Sequence, residues 1–333
     1  MNIINDCICD DNGNLYTNIG GRYLYSEVKN FDRGPQFHFG GINPLEYIVI
    51  HHTVSGSWMS AHNTFNTLGK EGASAHLIID RDGTVVQCVS FNTFAWHAGG
   101  SQWADRGLRN GPGTLNNYSI GIELVNWGSD FIIQPEGGWK NPRNNVSLSQ
   151  DDAIFTLSKH GYPKDGCGWQ KFPDAQIEAT LRMAQALMAT YPTILDIVGH
   201  EDIKVAWDEE DKQVFYNNDP EGDPMTDRQD PGPAFPMADF RARVLGLKAG
   251  NPEKFQAILS KGKPLGIPYQ FLCKEPAMFG RKNKEIEESR PLQDKEIVEV
   301  IGRQWWFAKV RATNPDGTVL EGWFPERYLK RVR

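Results

Sequence analysis

Three short segments, far apart in the chain, each place a good metal ligand where a structural element ends or a turn begins. They are residues 48–53 with His51 and His52, residues 198–202 with His200, and residues 230–236 with Asp230. Two imidazoles and one carboxylate form a three-ligand set that leaves a fourth position open for water, as catalytic zinc sites do. The pattern therefore predicts a catalytic Zn²⁺ centre and, with it, a hydrolase.

Each of these ligands also has an ordinary structural interpretation when taken alone. Neighbouring side chains on a strand point to opposite faces, so only one of His51 and His52 can reach a site above the sheet. His200 follows Gly199, which allows a sharp turn, and Asp230 would otherwise cap the Pro-Gly-Pro turn that follows it. Their joint occurrence, with Glu123 on a predicted strand between them, favours a metal site over chance.

The apolar pattern predicts an α/β fold with a mixed central sheet flanked by helices. Short β-branched runs of the buried-strand type cover residues 47–50, 77–80, 84–89 and 119–125. An Asp-Gly turn at 82–83 indicates a hairpin between the second and third of these runs. Helical spacing predicts a helix over about 174–190, ended by Pro192, and shorter helices near 63–68 and 238–247.

The change in character along the chain predicts four regions. They are an N-terminal extension (1–44) that wraps the first domain, a catalytic domain (45–248), a linker (249–264) and a small all-β barrel (265–333). In the last region apolar and polar residues alternate over 297–301 and 306–310, and Asn-Pro-Asp-Gly at 314–317 predicts a turn between the last two strands.

Composition narrows the range of partners. The 333 residues carry 35 basic and 42 acidic side chains, a net charge of −7, so no affinity for nucleic acid is expected. The five cysteines are scattered and odd in number, which predicts neither a disulfide framework nor a structural zinc site. No apolar run approaches the roughly 18 residues that span a membrane. The oligomeric state leaves no signature in the sequence.

The N-terminus lacks a basic region followed by an apolar run, so no secretory signal peptide is expected. We therefore expect synthesis in the cytoplasm. Action on the cell wall, in the periplasm or outside the cell, would then require release or export by another route.

Residues from about 47 to 240 resemble the zinc-dependent N-acetylmuramoyl-L-alanine amidases. This family includes phage lysozyme-type amidases, peptidoglycan recognition proteins and the muropeptide-recycling amidase, whose pattern is the nearest. The segments that carry the resemblance are 74–83, 95–99 and 119–124. It implies a zinc ion held by His51, the first histidine of the pair, together with His200 and Asp230.

The resemblance also implies a reaction, the hydrolysis of the amide between N-acetylmuramic acid and L-alanine of the stem peptide. Glu123 would pass the proton of the attacking water to the leaving amine, and Ala75, where other branches carry Tyr, fits the branch that relies on Glu. Arg228, where the family usually has Lys, would stabilise the oxyanion. The candidate substrate-binding residues are His97, Arg106 and Arg109. Packing of His97 and solvation of the arginines are the ordinary alternatives.

The chain departs from the family pattern between His200 and Asp230, which are thirty positions apart. The stretch 207–227 is acidic, and it is expected to form either a lid or groove wall or a decorated surface loop. It also offers rival carboxylates, but Asp230 is preferred because its Pro-Gly-Pro turn fixes its direction. Residues 131–146 and 161–172 are further departures from the compact family core.

The last seventy residues resemble the bacterial SH3-like domains attached to cell-wall hydrolases. A wall-binding module favours a lytic amidase of phage, prophage or exported-effector type, with intact peptidoglycan as its substrate. Three alternatives stay open. The chain could be an amidase that recycles soluble muropeptides, a recognition protein that binds peptidoglycan without turnover, or a zinc enzyme with the same site that cleaves a different bond.

Overall fold

The chain forms two compact units. Unit 1 consists of Met1–Gly99, Asn116–Glu201 and Gln229–Leu245, and unit 2 consists of Gly100–Leu115, Asp202–Arg228 and Gly246–Arg333. Within them, the computed structural model describes residues 2–3, 7–9, 15–17, 23–25, 31–32, 44–67, 72–91, 94–107, 115–157, 166–203, 205–208, 213–216, 229–248, 251–257, 272, 274, 292–304 and 307–332.

A seven-stranded mixed sheet forms the centre of unit 1. Its strands, in spatial order, are Asn2–Ile3, Tyr23–Tyr25, Val85–Gln87, Leu77–Ile79, Ser119–Leu124, Tyr47–His52 and Asp196–Gly199. The last four run parallel to one another, and the first two come from the predicted N-terminal extension. The prediction of an α/β fold with a mixed central sheet is therefore confirmed.

Helices pack on both faces of this sheet. They are α1 (Trp58–Thr67), α2 (Asp174–Thr190) and α4 (Met237–Val244), and the single-turn helix α3 (His200–Ile203) directly follows the strand Asp196–Gly199. Residues of α2 and α4 share a core with Ile48 and Ile50 on one face, and residues of α1 share a core with Ile78 on the other. Because alternate residues of a strand point to opposite faces, His51 lies on the α1 face and His52 on the α2 face.

The predicted hairpin and the predicted long helix are both present. Leu77–Ile79 pairs antiparallel with Val85–Gln87, and the Gly83 N–H donates to the Asp80 carbonyl at 2.9 Å to close the turn. Gly83 has φ +84°, and a Cβ there would lie 2.8 Å from the Ala175 carbonyl oxygen. A glycine at this position therefore allows the turn to pack against the start of α2.

Smaller elements surround the central sheet of unit 1. The predicted insertion 131–146 contributes to a three-stranded antiparallel sheet, and two-residue to four-residue strands form further pairs. The elements are Ile132–Ile133, Trp139–Lys140 and Ser147–Leu148; Ala153–Thr156 with Cys167–Gln170; Phe31–Asp32 with Phe94–Ala95; Cys7–Cys9 with Leu15–Thr17; and the 3-10 turn Gln150–Asp152.

Unit 2 is built on a five-stranded antiparallel sheet. Its strands, in spatial order, are Val319–Pro325, Phe307–Thr313, Ile297–Gln304, Glu253–Ala257 and Leu329–Arg331. Val298 and Val300 are buried in its core while Ile297 is exposed, as the predicted alternation requires. The turn predicted at 314–317 joins the strands on either side of it. A small β unit at this end of the chain agrees with the prediction, and its likeness to SH3-like domains stays a prediction.

The range 249–264, interpreted above as a linker, contains one strand of this sheet. Glu253–Ala257 pairs with both Ile297–Gln304 and Leu329–Arg331, and Phe255 is fully buried among the core residues. These five residues therefore belong to the sheet rather than to a connection. Alternation over so short a segment, flanked by Gly and Pro, was too weak a pattern to distinguish the two.

Unit 2 also includes a segment that the sequence assigns to the catalytic domain. Gln102–Trp103 pairs with Arg106–Gly107, the Ala104 N–H donates to the Arg327 carbonyl at 2.7 Å, and Lys330 Nζ lies 3.1 Å from Asp105 Oδ1. The segment Asp202–Arg228, which also belongs to unit 2, contributes the hairpin of Val205–Asp208 with Gln213–Tyr216. Among the described residues, no helix is long and apolar enough to cross a membrane.

A buried ion pair ties α4 to the edge of the central sheet. Arg241 Nε donates to Asp196 Oδ1 at 2.7 Å and Arg241 Nη2 to Asp196 Oδ2 at 2.6 Å. The side chains are 8% and 1% exposed. Planar, two-point contacts of this kind hold both groups in one orientation.

We expect Asp196→Ala to lower the free energy of unfolding by about 3–5 kcal/mol, because it leaves the Arg241 guanidinium buried without its carboxylate. Urea unfolding followed by circular dichroism measures the loss. Glu178→Ala is the matched control. Glu178 is the exposed ion-pair partner of Arg243, which lies on α4 as Arg241 does, so this variant should leave the unfolding midpoint nearly unchanged. Equal losses in the two variants would contradict the assignment.

Candidate metal centre

The sheet register brings His51 and His200 together at the carboxyl-terminal ends of two adjacent strands. Tyr47–His52 and Asp196–Gly199 are adjacent parallel strands, with Ile50 opposite Gly199. His51 follows Ile50 on its strand, and His200 follows Gly199 as the first residue of α3. Because neighbouring parallel strands end at the same edge, the two imidazoles emerge side by side.

Asp230 reaches the same place from a distant part of the chain. The Glu201 N–H in α3 donates to the Asp230 carbonyl at 2.8 Å, which fastens the turn next to His200. Gly232 in that turn has φ +77°, and a Cβ there would collide with the ring of the buried Trp169. The backbone hydrogen bond to α3 and the close approach of Gly232 to the Trp169 ring therefore hold the Asp230 turn in place.

The three side chains converge on one point. His51 Nδ1 lies 2.9 Å from His200 Nδ1 and 3.0 Å from Asp230 Oδ2, and His200 Nδ1 lies 3.1 Å from the same oxygen. In a tetrahedral zinc site with bonds of about 2.0–2.1 Å, neighbouring ligand atoms are about 3.3 Å apart. Two ring nitrogens and a carboxylate oxygen at nearly this spacing fit a small divalent metal ion.

The ionisation state of Asp230 also suits a metal ligand. Burial raises the pKa of the Asp230 carboxyl, but the electrostatic interactions with His200 and His51 outweigh this effect and hold that pKa well below its usual value. The carboxylate is therefore ionised at neutral pH and carries the negative charge that a metal ligand needs. The two histidine side chains are 2% and 3% exposed and that of Asp230 is 13% exposed, so the group is almost closed to water.

His52 does not join this group. Its ring lies against Gly128, where a Cβ would collide with it. Burial lowers the pKa of His52, an effect that the charge of Asp230 partly opposes. The structure thus separates the two histidines by strand alternation and brings the first of them to the other candidate ligands.

His97 contacts His51 directly. His97 Nδ1 lies 3.0 Å from His51 Nε2, and the two rings meet edge to face at 84°. His97 is 5% exposed. Burial, followed by the neighbouring His51, His76 and His200, lowers the pKa of His97 well below its usual value. The imidazole is therefore neutral at physiological pH, and a substrate-binding role for it stays a prediction.

Glu123 lies on the strand beside His51. Ser119–Leu124 pairs in parallel with Tyr47–His52, and Glu123 is directly opposite His51 in that register. Opposite residues in a sheet point to the same face, so the carboxylate is on the face of the candidate ligands. Glu123 is half-buried.

Burial, reinforced by the charge of Glu123, raises the pKa of the Cys88 thiol, which stays protonated.

The other predicted site residues have different outcomes. Arg228 and Arg109 lie outside the described residues, as does the acidic stretch 207–227 except for its hairpin residues. Arg106 is in the short strand Arg106–Gly107 of unit 2. The predicted roles of all three arginines stay predictions.

The sequence analysis did not identify two buried polar residues next to His97. Asn116 Oδ1 accepts hydrogen bonds from the N–H groups of His97 and Ala98 at 3.0 and 2.7 Å. His76 Nδ1 accepts the Gly121 N–H at 3.0 Å. The available signal was a histidine at the start of an apolar strand and an asparagine shortly before another strand, and neither has a characteristic spacing.

Comparison with known proteins gives one family match. The N-acetylmuramoyl-L-alanine amidase family matches residues 42–233, more than half of the chain. This range includes His51, Glu123, His200 and Asp230. It excludes the five-stranded sheet of unit 2.

Individual relatives are more distant. The chain is 30% identical over 185 residues to the 1,6-anhydro-N-acetylmuramyl-L-alanine amidase AmpD of Enterobacter cloacae, covering 55% of this chain and 64% of the relative. It is 30% identical over 186 residues to AmpD of Escherichia coli K12, covering 55% and 65%. The chain thus spans less than two thirds of the length of these relatives.

Solved structures give weaker matches. AmpDh3 of Pseudomonas aeruginosa, in complex with an anhydromuramic pentapeptide, is 22% identical with a TM-score of 0.38, covering 61% of this chain and 60% of that one. A selenomethionine AmpD derivative is 26% identical with a TM-score of 0.38, covering 67% and 94%. At these TM-scores the structural likeness adds nothing to the sequence match. It is the extent of that match that shows the chain to be a member of the N-acetylmuramoyl-L-alanine amidase family.

Proposed function

We propose that the chain is a zinc-dependent amidase that hydrolyses the bond between N-acetylmuramic acid and L-alanine of a stem peptide. The observation that carries this proposal is the convergence of His51, His200 and Asp230 in a member of this family. Nitrogen and carboxylate donors suit zinc, and three protein ligands leave one position open. A zinc ion bound there would activate water and polarise the carbonyl of the substrate.

Glu123 is the proposed general base and acid. Its carboxylate would take a proton from the water whose oxygen attacks the amide carbonyl carbon. It would return that proton to the nitrogen of L-alanine as the carbon–nitrogen bond breaks, which regenerates the carboxylate. Its position opposite His51, on the same face of the sheet, supports this role.

Arg228 is the proposed partner of the oxyanion. It stands two residues before Asp230 in the sequence, and a cation near the reacting carbonyl would stabilise the charge that develops on its oxygen. A guanidinium keeps the charge of the lysine usual in the family but presents a planar fork of donors.

The proposed substrate is a soluble 1,6-anhydro-muropeptide. The relatives matched by sequence are named as amidases of this type, which favours recycling over the lytic action expected from the sequence. The five-stranded sheet of unit 2 lies outside the family match, and it is the observation that keeps intact peptidoglycan as a second candidate substrate. A recognition protein without turnover is less well supported, because the three candidate ligands and Glu123 are all present.

We expect the purified chain to bind one zinc ion. Asp230→Ala should bind zinc at least about 100-fold more weakly, because loss of a direct ligand should cost more than loss of a residue that only hydrogen-bonds to a ligand. Elemental analysis and chelator competition measure content and affinity. Asp239→Ala, which removes an exposed carboxylate of α4, is the control and should bind zinc normally. Unchanged zinc affinity in Asp230→Ala would show that this carboxylate is not a ligand.

We expect mass spectrometry to detect free stem peptides beginning with L-alanine after incubation with a 1,6-anhydro-muropeptide. Chelation should abolish the product and added zinc should restore it. Glu123→Gln should lower kcat by about 10²–10⁴-fold with zinc still bound, because it removes the proton carrier. Glu178→Gln, an exposed glutamate on α2, is the control and should keep full activity.

Purified peptidoglycan serves as the parallel substrate in the same experiment. Faster release of stem peptides from intact wall would favour the lytic alternative. Wall that is bound but left intact would indicate a recognition protein, and products of a different mass would indicate a different scissile bond.

A further inference from the structure

We propose that His97 is a positioning residue of the metal centre, which accepts a hydrogen bond from His51 Nε2–H and so fixes the tautomer that directs the His51 Nδ1 lone pair at the metal. This inference rests on the proposed zinc site. It assigns to His97 a role different from the substrate contact expected from the sequence.

The proton arrangement follows from the distances. His51 Nδ1 is the nitrogen that faces the other candidate ligands, at 2.9 and 3.0 Å. A neutral imidazole has one N–H and one acceptor nitrogen, so a ligating Nδ1 requires the proton of His51 to be on Nε2. That Nε2–H then donates to His97 Nδ1 at 3.0 Å.

The arrangement also determines the tautomer of His97. Its Nδ1 accepts a hydrogen bond, so its own proton is on Nε2, which lies 3.4 Å from Ser119 Oγ. A single pattern of protons thus satisfies His51 and His97 in turn and leaves the metal-facing lone pair free. The opposite tautomer of His51 would place an N–H where the ion binds.

The surroundings hold the His97 ring in this orientation. Asn116 Oδ1 accepts the N–H groups of both His97 and Ala98, which anchors the backbone that carries the ring. Gly121, on the strand next to that of His51, lies under the ring, and a Cβ there would lie 2.7 Å from both Nδ1 and Cδ2 of His97. The absence of a side chain at residue 121 is therefore what admits the imidazole beside the ligand.

A histidine that binds a metal usually donates its other ring N–H to a carboxylate, a carbonyl or water. A neutral imidazole is therefore an uncommon acceptor of this hydrogen bond. A carboxylate in this position would add a second negative charge beside Asp230. His97 would orient His51 without adding that charge, which would leave a bound metal ion more electrophilic toward a carbonyl.

The test is the zinc affinity of the full chain, measured by competition with a chromophoric chelator and without substrate. We expect His97→Phe to weaken zinc binding about 10–100-fold, the usual cost of losing an outer partner. His97→Asn, whose amide oxygen can replace Nδ1 as acceptor, should recover most of the loss. Gly121→Ala, which displaces the ring without changing it, should weaken binding in the same direction and decides the test if His97→Phe does not fold.

Met183→Ala is the matched control for general loss of stability. Met183 is fully buried in the core on the opposite face, so its truncation should lower the urea midpoint of unfolding and leave the zinc affinity of the folded protein unchanged. Wild-type zinc affinity in His97→Phe, with a raised KM for muropeptide, would overturn the inference and restore the substrate-contact role. A wild-type chain that binds no zinc would overturn the proposed function and this inference together.

Discussion

The candidate site depends on the parallel pairing of Tyr47–His52 with its two neighbours in the central sheet. One neighbour, Ser119–Leu124, places Glu123 opposite His51, and the other, Asp196–Gly199, delivers His200 to the same edge. A slip of one residue in either register would move these side chains to the other face. The apolar cores on both faces, which include Ile48 and Ile78, fix the register and therefore the site.

The site concentrates polar groups that are costly to bury. His51, His76, His97 and His200 are all buried, and an isolated polar group in such a place is unfavourable unless it is hydrogen-bonded. Here each ring has a partner among the others, the backbone or Asp230. The polar cluster is thus stabilised internally, and its order does not depend on surface side chains that water can reach.

Local patterns were sufficient to predict four strands of the central sheet and helix α2, and strand alternation indicated that only one of His51 and His52 could reach the site. The choice of His51 came from the family resemblance. The hairpin at 77–89 and helix α2 follow from turn chemistry and apolar spacing, which act over a few residues. The contact of His97 with His51 joins residues 46 positions apart, and it depends on the register of a third strand through Gly121. The strand Glu253–Ala257 was missed because its alternation is short and the strands that pair with it begin some forty residues later.

The segment around Asp105 has a consequence for how the protein can be divided. The chain leaves unit 1 after Gly99, contributes Ala104 and Asp105 to contacts with Arg327 and Lys330, and returns at Asn116. No single cut in the sequence can therefore release unit 2 intact. Recombination at the 249–264 boundary would transfer the C-terminal sheet without the segment that contacts Arg327 and Lys330.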